Sequence, residues 1–183
     1  MTIPNILTLG RIFLTPVLAW LLIDRRYTAA MGVFFIAGVT DALDGLVARV
    51  FNQKSKFGAY LDPLADKILL VTSFIIMGYE DQIPLWLVII VVSRDAMILL
   101  GFFTLAFYQV KIEINPLVSS KLTTLFQLTT VFMLLLKPIL TFPGWMYSIL
   151  FIVTAGFSLL SGARYLYVGM NLIEKHRTRN TDS

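Results

Sequence analysis

The sequence predicts an all-α integral membrane protein, with six transmembrane helices in one domain spanning 1–183 and an active site near the cytoplasmic face. Three observations lead there. Hydrophobic residues make up 57% of the 183 residues and mean hydropathy is +0.80, beyond the apolar share of ordinary soluble domains. Apolar runs of bilayer-crossing length, about 20 residues, recur with short polar breaks between them. Finally, four of the eleven acidic residues, Asp41, Asp44, Asp62 and Asp66, crowd around one of those breaks, where apolar surroundings make charge expensive.

The first helix is expected from Pro4, a residue suited to a first helical turn, to about Ile23, with a kink at Pro16. Arg11 lies within it, at a depth from which its long stem could snorkel to the interface. Asp24, Arg25 and Arg26 form a polar turn. The second span covers about Thr28 to Phe51 and ends in Asp41 and Asp44. A basic loop holding Lys54 and Lys56 leads to the third span, Gly58 to Tyr79, which opens with Asp62 and Asp66. Asp62 before Pro63 also fits a helix cap.

After the turn at Glu80 to Gln82, Pro84 opens a fourth span to about Tyr108 that contains Ser93, Arg94 and Asp95. Neighbouring residues on a helix point in different directions, so Arg94 and Asp95 are not expected to form a simple pair. The fifth span runs from about Leu117 to Leu136. It carries Lys121 and a ridge of Thr123, Thr124, Gln127 and Thr130 suited to helix packing. The sixth runs from about Trp145 to Tyr167, and a polar tail from Glu174 to Ser183 is expected to be mobile.

Six spans place both termini on one side. Loop and tail cations on that side are Lys54, Lys56, Lys111, Lys175, Arg177 and Arg179, against Arg25, Arg26 and Lys137 on the other. This excess puts the termini and the acidic cluster at the cytoplasmic face of a cell membrane. The net charge of +4 then suits anionic lipid, and no nucleic acid partner is expected. The chain has no cysteine, which excludes disulfides and thiolate-bound metals; its single histidine, His176, lies in the tail and is a poor candidate for a catalytic base.

On helices, Asp41 and Asp44 share one stripe with Gly45 and Ala48, while Gly58, Asp62 and Asp66 form a second. If the stripes face each other, four carboxylates surround one small volume, and like charges so close cannot all stay ionised unaided. One or two divalent cations relieve the repulsion, and an all-oxygen donor set selects Mg²⁺, Mn²⁺ or Ca²⁺ over zinc. Lys67 offers another outcome, an ion pair with one of these carboxylates without metal.

The pattern D-x-x-D-G-x-x-A-R, eight residues, then G-x-x-x-D-x-x-x-D resembles the signature of the CDP-alcohol phosphatidyltransferase family. Asp41, Asp44, Gly45, Ala48, Arg49, Gly58, Asp62 and Asp66 meet it in full. The resemblance implies metal-dependent transfer of a phosphatidyl group from CDP-diacylglycerol to an acceptor hydroxyl, with release of CMP. It implies Asp41, Asp44, Asp62 and Asp66 as ligands of Mg²⁺ or Mn²⁺, two ions in all, with Asp66 also the catalytic base. Gly45, Ala48, Arg49 and Gly58 would line the nucleotide, with Asn5 and Thr8 near it. Relatives in this family are often homodimers, so a homodimer is expected.

The resemblance implies a glycerol-type acceptor, and Arg11, Arg94 and Lys121 are the cations available at membrane depth to hold its phosphate. The stretches IPNILTLGR, LDPLADKIL and IPLWLVIIVVSRDAMIL are similar to the family's cardiolipin-forming branch, which uses phosphatidylglycerol. The branch using glycerol-3-phosphate usually follows the arginine with a glutamate and adds a second arginine eight residues on; here those positions are Asp95 and Phe102. One guanidinium suits a phosphodiester better than a phosphomonoester dianion. Phosphatidylglycerol is therefore the favoured acceptor and glycerol-3-phosphate the alternative. A cation or proton transporter would string its ionisable groups across the bilayer, whereas these cluster at one face.

Overall fold

The computed structural model describes the backbone of residues 3–50, 58–107 and 118–181, and the side chains of residues 8–40, 64–101, 104 and 119–167. Six helices are present and, among the described residues, no strand: α1 (Ile3–Ile23), α2 (Tyr27–Val50), α3 (Gly58–Tyr79), α4 (Leu85–Phe107), α5 (Val118–Leu136) and α6 (Gly144–Thr181). The ends of the first five helices fall close to the expected ones. The sixth does not. It continues past Tyr167 to Thr181 and so covers most of the expected tail, since the intervening residues include no proline and only one glycine, Gly169.

Helix packing closes into a ring. Proceeding around it, α2 packs on α1, α1 on α3, α3 on α4, α4 on α6, α6 on α5, and α5 back on α2, with a lesser contact of α3 with α5 across the middle. Among the described residues α1 lies between α2 and α3, which do not form an extensive seam of their own. The first helix is thus the element on which both halves of the acidic motif are mounted.

The two ends of the ring differ in chemistry. Leu18, Leu22, Phe34, Phe74, Met77, Leu87, Val91, Val131, Leu135 and Phe151 form one apolar core, and all of them lie in the half nearer the α1–α2 and α3–α4 turns. Those turns are built alike. Arg25 and Asp81 adopt left-handed backbone conformations, φ 57° and 56°, and the next amide in each reaches back five residues, Arg26 to Leu21 at 2.9 Å and Gln82 to Met77 at 2.8 Å. This closure satisfies carbonyls that the helix end would otherwise strand. A 2.6 Å contact from Arg25 Nε to Glu80 Oε2 joins the two turns.

At the α3–α4 crossing, Gly78 meets Val88. A Cβ at Gly78 would sit 2.6 Å from Val88 Cγ2, so glycine is what allows the helices this close approach.

The outer surface is strongly apolar: Phe13, Trp20, Phe35, Ile89, Leu125, Ile152, Leu159 and Leu160 are all exposed. Among the described residues, Ser119–Leu136 and Gly144–Tyr167 are long and apolar enough to cross a membrane, while Thr8–Ile23 and Tyr27–Thr40 form shorter apolar stretches. In lipid such a surface is in its preferred solvent, and helices satisfy their own backbone groups there.

Candidate active site

The helix α1 presents Thr8, Arg11 and Thr15 inward because it is clasped by α2 on one side and α3 on the other. Thr8 is fully buried and Arg11 is 2% exposed. Of the two readings of Arg11, the snorkelling one does not occur. Instead its guanidinium forms a salt bridge with the Asp66 carboxylate of α3, which remains 38% exposed. A buried cation therefore anchors a carboxylate that still faces accessible space. Thr15 Oγ1 donates to the Arg11 carbonyl at 3.0 Å, tying the same turn of α1.

Of the four expected metal-binding carboxylates, Asp66 alone has a described side chain. Asp41 and Asp44 lie on the continuous helix α2, and Asp62 and Asp66 on the continuous helix α3. Spacings of three and four residues put each pair on one helix face. The side chains of Asp41, Asp44, Gly45, Ala48, Arg49 and Asp62, together with Asn5 and Gly58, lie outside the described residues. Among the described side chains no group of three acidic or histidine residues converges. The donor set itself fits a hard divalent cation, since it is all carboxylate oxygen carried on rigid helix faces.

Beside Asp66, the chain turns to a second polar centre. Among the described residues the partner of Lys67 is not Asp66; its Nζ donates to Asp95 Oδ1 of α4 at 3.0 Å. Arg94 NH1 donates to the same oxygen at 2.6 Å, which corrects the expectation that these neighbours do not pair. An arginine stem is long enough for the guanidinium to fold back beside its helix, whatever the divergence of the two Cβ directions. Arg94 NH2 then reaches Ser161 of α6 at 2.6 Å and Ser120 of α5 at 2.9 Å. Asp95 is fully buried and Arg94 3% exposed.

The signal for this centre was present as small polar residues on two helices, Ser119 and Ser120 at the start of α5 and Ser158 and Ser161 in the middle of α6. Without pairing partners it could not be read. Lys121 is exposed and, with Ser120, Thr124, Leu125 and Leu128, lines an open groove of about 330 Å³. The structure thus brings Arg11 to Asp66 and Arg94 beside the Lys121 groove. The ridge of threonines packs helices as expected: Thr123 Oγ1 lies 2.9 Å from the Phe157 carbonyl and Thr130 Oγ1 lies 2.9 Å from Thr154 Oγ1.

Comparison with known proteins adds to this geometry. The profile of the CDP-alcohol phosphatidyltransferases matches residues 1–160. A cardiolipin synthase (CMP-forming) of Rattus norvegicus is 37% identical over 190 residues, covering 94% of this chain and 63% of that protein. The protein of the same name from Homo sapiens matches to the same extent. A chloroplastic CDP-diacylglycerol–glycerol-3-phosphate 3-phosphatidyltransferase 1 of Oryza sativa subsp. japonica is 35% identical over 157 residues, covering 75% of this chain and 47% of that protein. The chain therefore spans less than two thirds of the length of these relatives.

Proposed function

The chain belongs to the CDP-alcohol phosphatidyltransferase family, and from that premise we propose that it transfers a phosphatidyl group from CDP-diacylglycerol to phosphatidylglycerol, releasing CMP and forming cardiolipin. Six membrane spans, a cytoplasmic face for the site, a bacterial cell membrane as its place and a homodimeric assembly belong to the same reading. The observation that carries it is Asp66, a partly exposed carboxylate oriented by the buried Arg11 on the helix that also carries Asp62.

In this reaction the acceptor hydroxyl oxygen attacks the phosphorus bearing the diacylglycerol. The bond from that phosphorus to the bridging oxygen of the pyrophosphate breaks, and CMP departs with the electron pair. Asp66 takes the hydroxyl proton. A carboxylate is a weak base, so its contribution comes from being held in place, and the Arg11 contact supports that. Asp41, Asp44, Asp62 and Asp66 would hold the divalent cations, Mg²⁺ or Mn²⁺, two in number. When bound, such ions neutralise pyrophosphate charge and favour departure of CMP. Arg49, Gly45, Ala48, Gly58, Asn5 and Thr8 take the nucleotide.

For the acceptor, the groove beside α5 supports a lipid. Ser120 and Lys121 offer a hydroxyl and a cation to a phosphodiester, while Leu125 and Leu128 continue the same groove as an apolar wall. Arg94 braces Ser120 from within, and Arg11 adds positive charge near the attacking group. Glycerol-3-phosphate, the substrate in the printed name of the Oryza sativa relative, is the second reading.

The test supplies purified protein with labelled CDP-diacylglycerol and either phosphatidylglycerol or glycerol-3-phosphate, and identifies the lipid formed. Cardiolipin is the expected product. Phosphatidylglycerophosphate alone overturns the acceptor, and no release of CMP with either acceptor overturns the activity.

A further inference from the structure

Asp66 and Lys67 are consecutive on α3, so their side chains leave the helix about 100° apart. Each is gripped by a different neighbouring helix. Asp66 is held by Arg11 of α1, and Lys67 by Asp95 of α4. Two anchors at one level, pulling in directions about 100° apart, fix the rotation of a helix about its own axis far better than either alone. Rotation matters here because it sets where a carboxylate on α3 points.

The anchor on the α4 side is not a lone surface pair. Asp95 Oδ1 accepts from both Lys67 and Arg94, and Arg94 continues to Ser120 and Ser161. Lys67 is 14% exposed and Asp95 fully buried. Gly162 of α6 faces the Arg94 stem, where even a Cβ would make an ordinary contact of 3.6 Å with Arg94 Cγ. The hub thereby joins α3, α4, α5 and α6 at the level of Asp66. A buried ion pair of this kind is a poor source of net stability but a strong constraint on geometry.

We propose that Lys67 is a positioning residue: through Asp95 it locks the axial rotation of α3 and so aims Asp66 at the acceptor hydroxyl. This rests on the reading of Asp66 as the base, and it concerns a residue to which the motif gives no role. The arrangement has a further consequence for Arg94, which serves as the fixed post of the lock and reaches the acceptor through Ser120.

The experiment uses the full chain in lipid or detergent. Because the chain has no cysteine, Phe13→Cys on α1 and Ile68→Cys on α3 give a unique pair of spin labels, both at exposed positions. Lys67→Met and Asp95→Asn are each compared with the parent and with Lys67→Arg. In both disrupting variants the label distance shifts or broadens. Turnover of CDP-diacylglycerol falls by up to about a hundredfold with KM little changed, as misplacement of a reacting group by about 1 Å implies. Lys67→Arg keeps the parental distance and most of the turnover. Asp95→Asn preserves side-chain shape, so it reports even if Lys67→Met does not fold. A lowered melting temperature with parental label distance and parental kcat overturns the proposal. If the parent itself releases no CMP, the activity reading falls, while the label distances still decide whether Lys67 locks α3.

Discussion

Arg11 on α1 and Asp66 on α3 form a salt bridge in which the cation is 2% exposed and the carboxylate 38%. That asymmetry sets their roles. The arginine has left water and depends on its partner, whereas the carboxylate retains an open side for chemistry.

Arg11→Met is therefore expected to reduce turnover by about tenfold to a hundredfold, through loss of orientation at Asp66. Arg11→Lys falls between, because a single ammonium lacks the fork of a guanidinium. Steady-state kinetics of CMP release check this. Turnover in Arg11→Met equal to the parent would separate the pair from catalysis.

Asp44→Asn and Asp66→Asn are expected to retain less than about 1% of CMP release while folding normally, since each removes a charge needed for cation binding and Asp66 also removes the base. Thermal unfolding in detergent verifies folding, and radiolabelled CMP reports the reaction. Substantial activity in either variant contradicts the assignment.

Excess EDTA is expected to abolish turnover, and Mg²⁺ or Mn²⁺ to restore it. Calorimetric titration of the chelated protein with Mg²⁺, without substrate, provides an independent readout. Heat of binding disappears in Asp41→Asn together with Asp62→Asn if these carboxylates are the ligands.

Arg94→Met strands Ser161 and removes one of the two cations on the buried Asp95. A loss of roughly 3 kcal/mol is expected, the scale for breaking a buried ion pair by deleting one partner. Unfolding in denaturant measures it. A variant as stable as the parent would show that Arg94 is not needed to offset the buried Asp95 charge.

Gly78→Ala is expected to destabilise by about 1–3 kcal/mol, because the new methyl group meets Val88 Cγ2 at 2.6 Å and a β-branched side chain on a helix has little freedom to turn away. Val88→Ala in the same chain restores most of the loss. Thermal melts of the single and double variants decide it.

The helices were legible because long apolar runs and their polar breaks act locally: Asp24 to Arg26 and Glu80 to Gln82 interrupt the apolar runs, and the chain turns there. Spacing likewise assigned Asp41 and Asp44 to one helix and Asp62 and Asp66 to the next, as α2 and α3 have it. What distance along the chain concealed was pairing. Lys67 and Asp95 are 28 residues apart and Arg94 and Ser161 are 67 apart, so only the ring of helices decides that they meet. For Arg11 the sequence left two directions open, outward to the interface or inward to a site, because its depth in α1 was visible whereas its inward face is set by α2 and α3 together.

The apolar packing of Phe74, Leu87, Leu135 and their neighbours occupies one half of the ring, and Arg11, Asp66, Lys67, Asp95 and Lys121 occupy the other. On the proposed reading, the residues assigned to substrate and those that fill the apolar core therefore lie at opposite ends of the helix ring, so a change in core packing is expected to leave the acceptor groove intact.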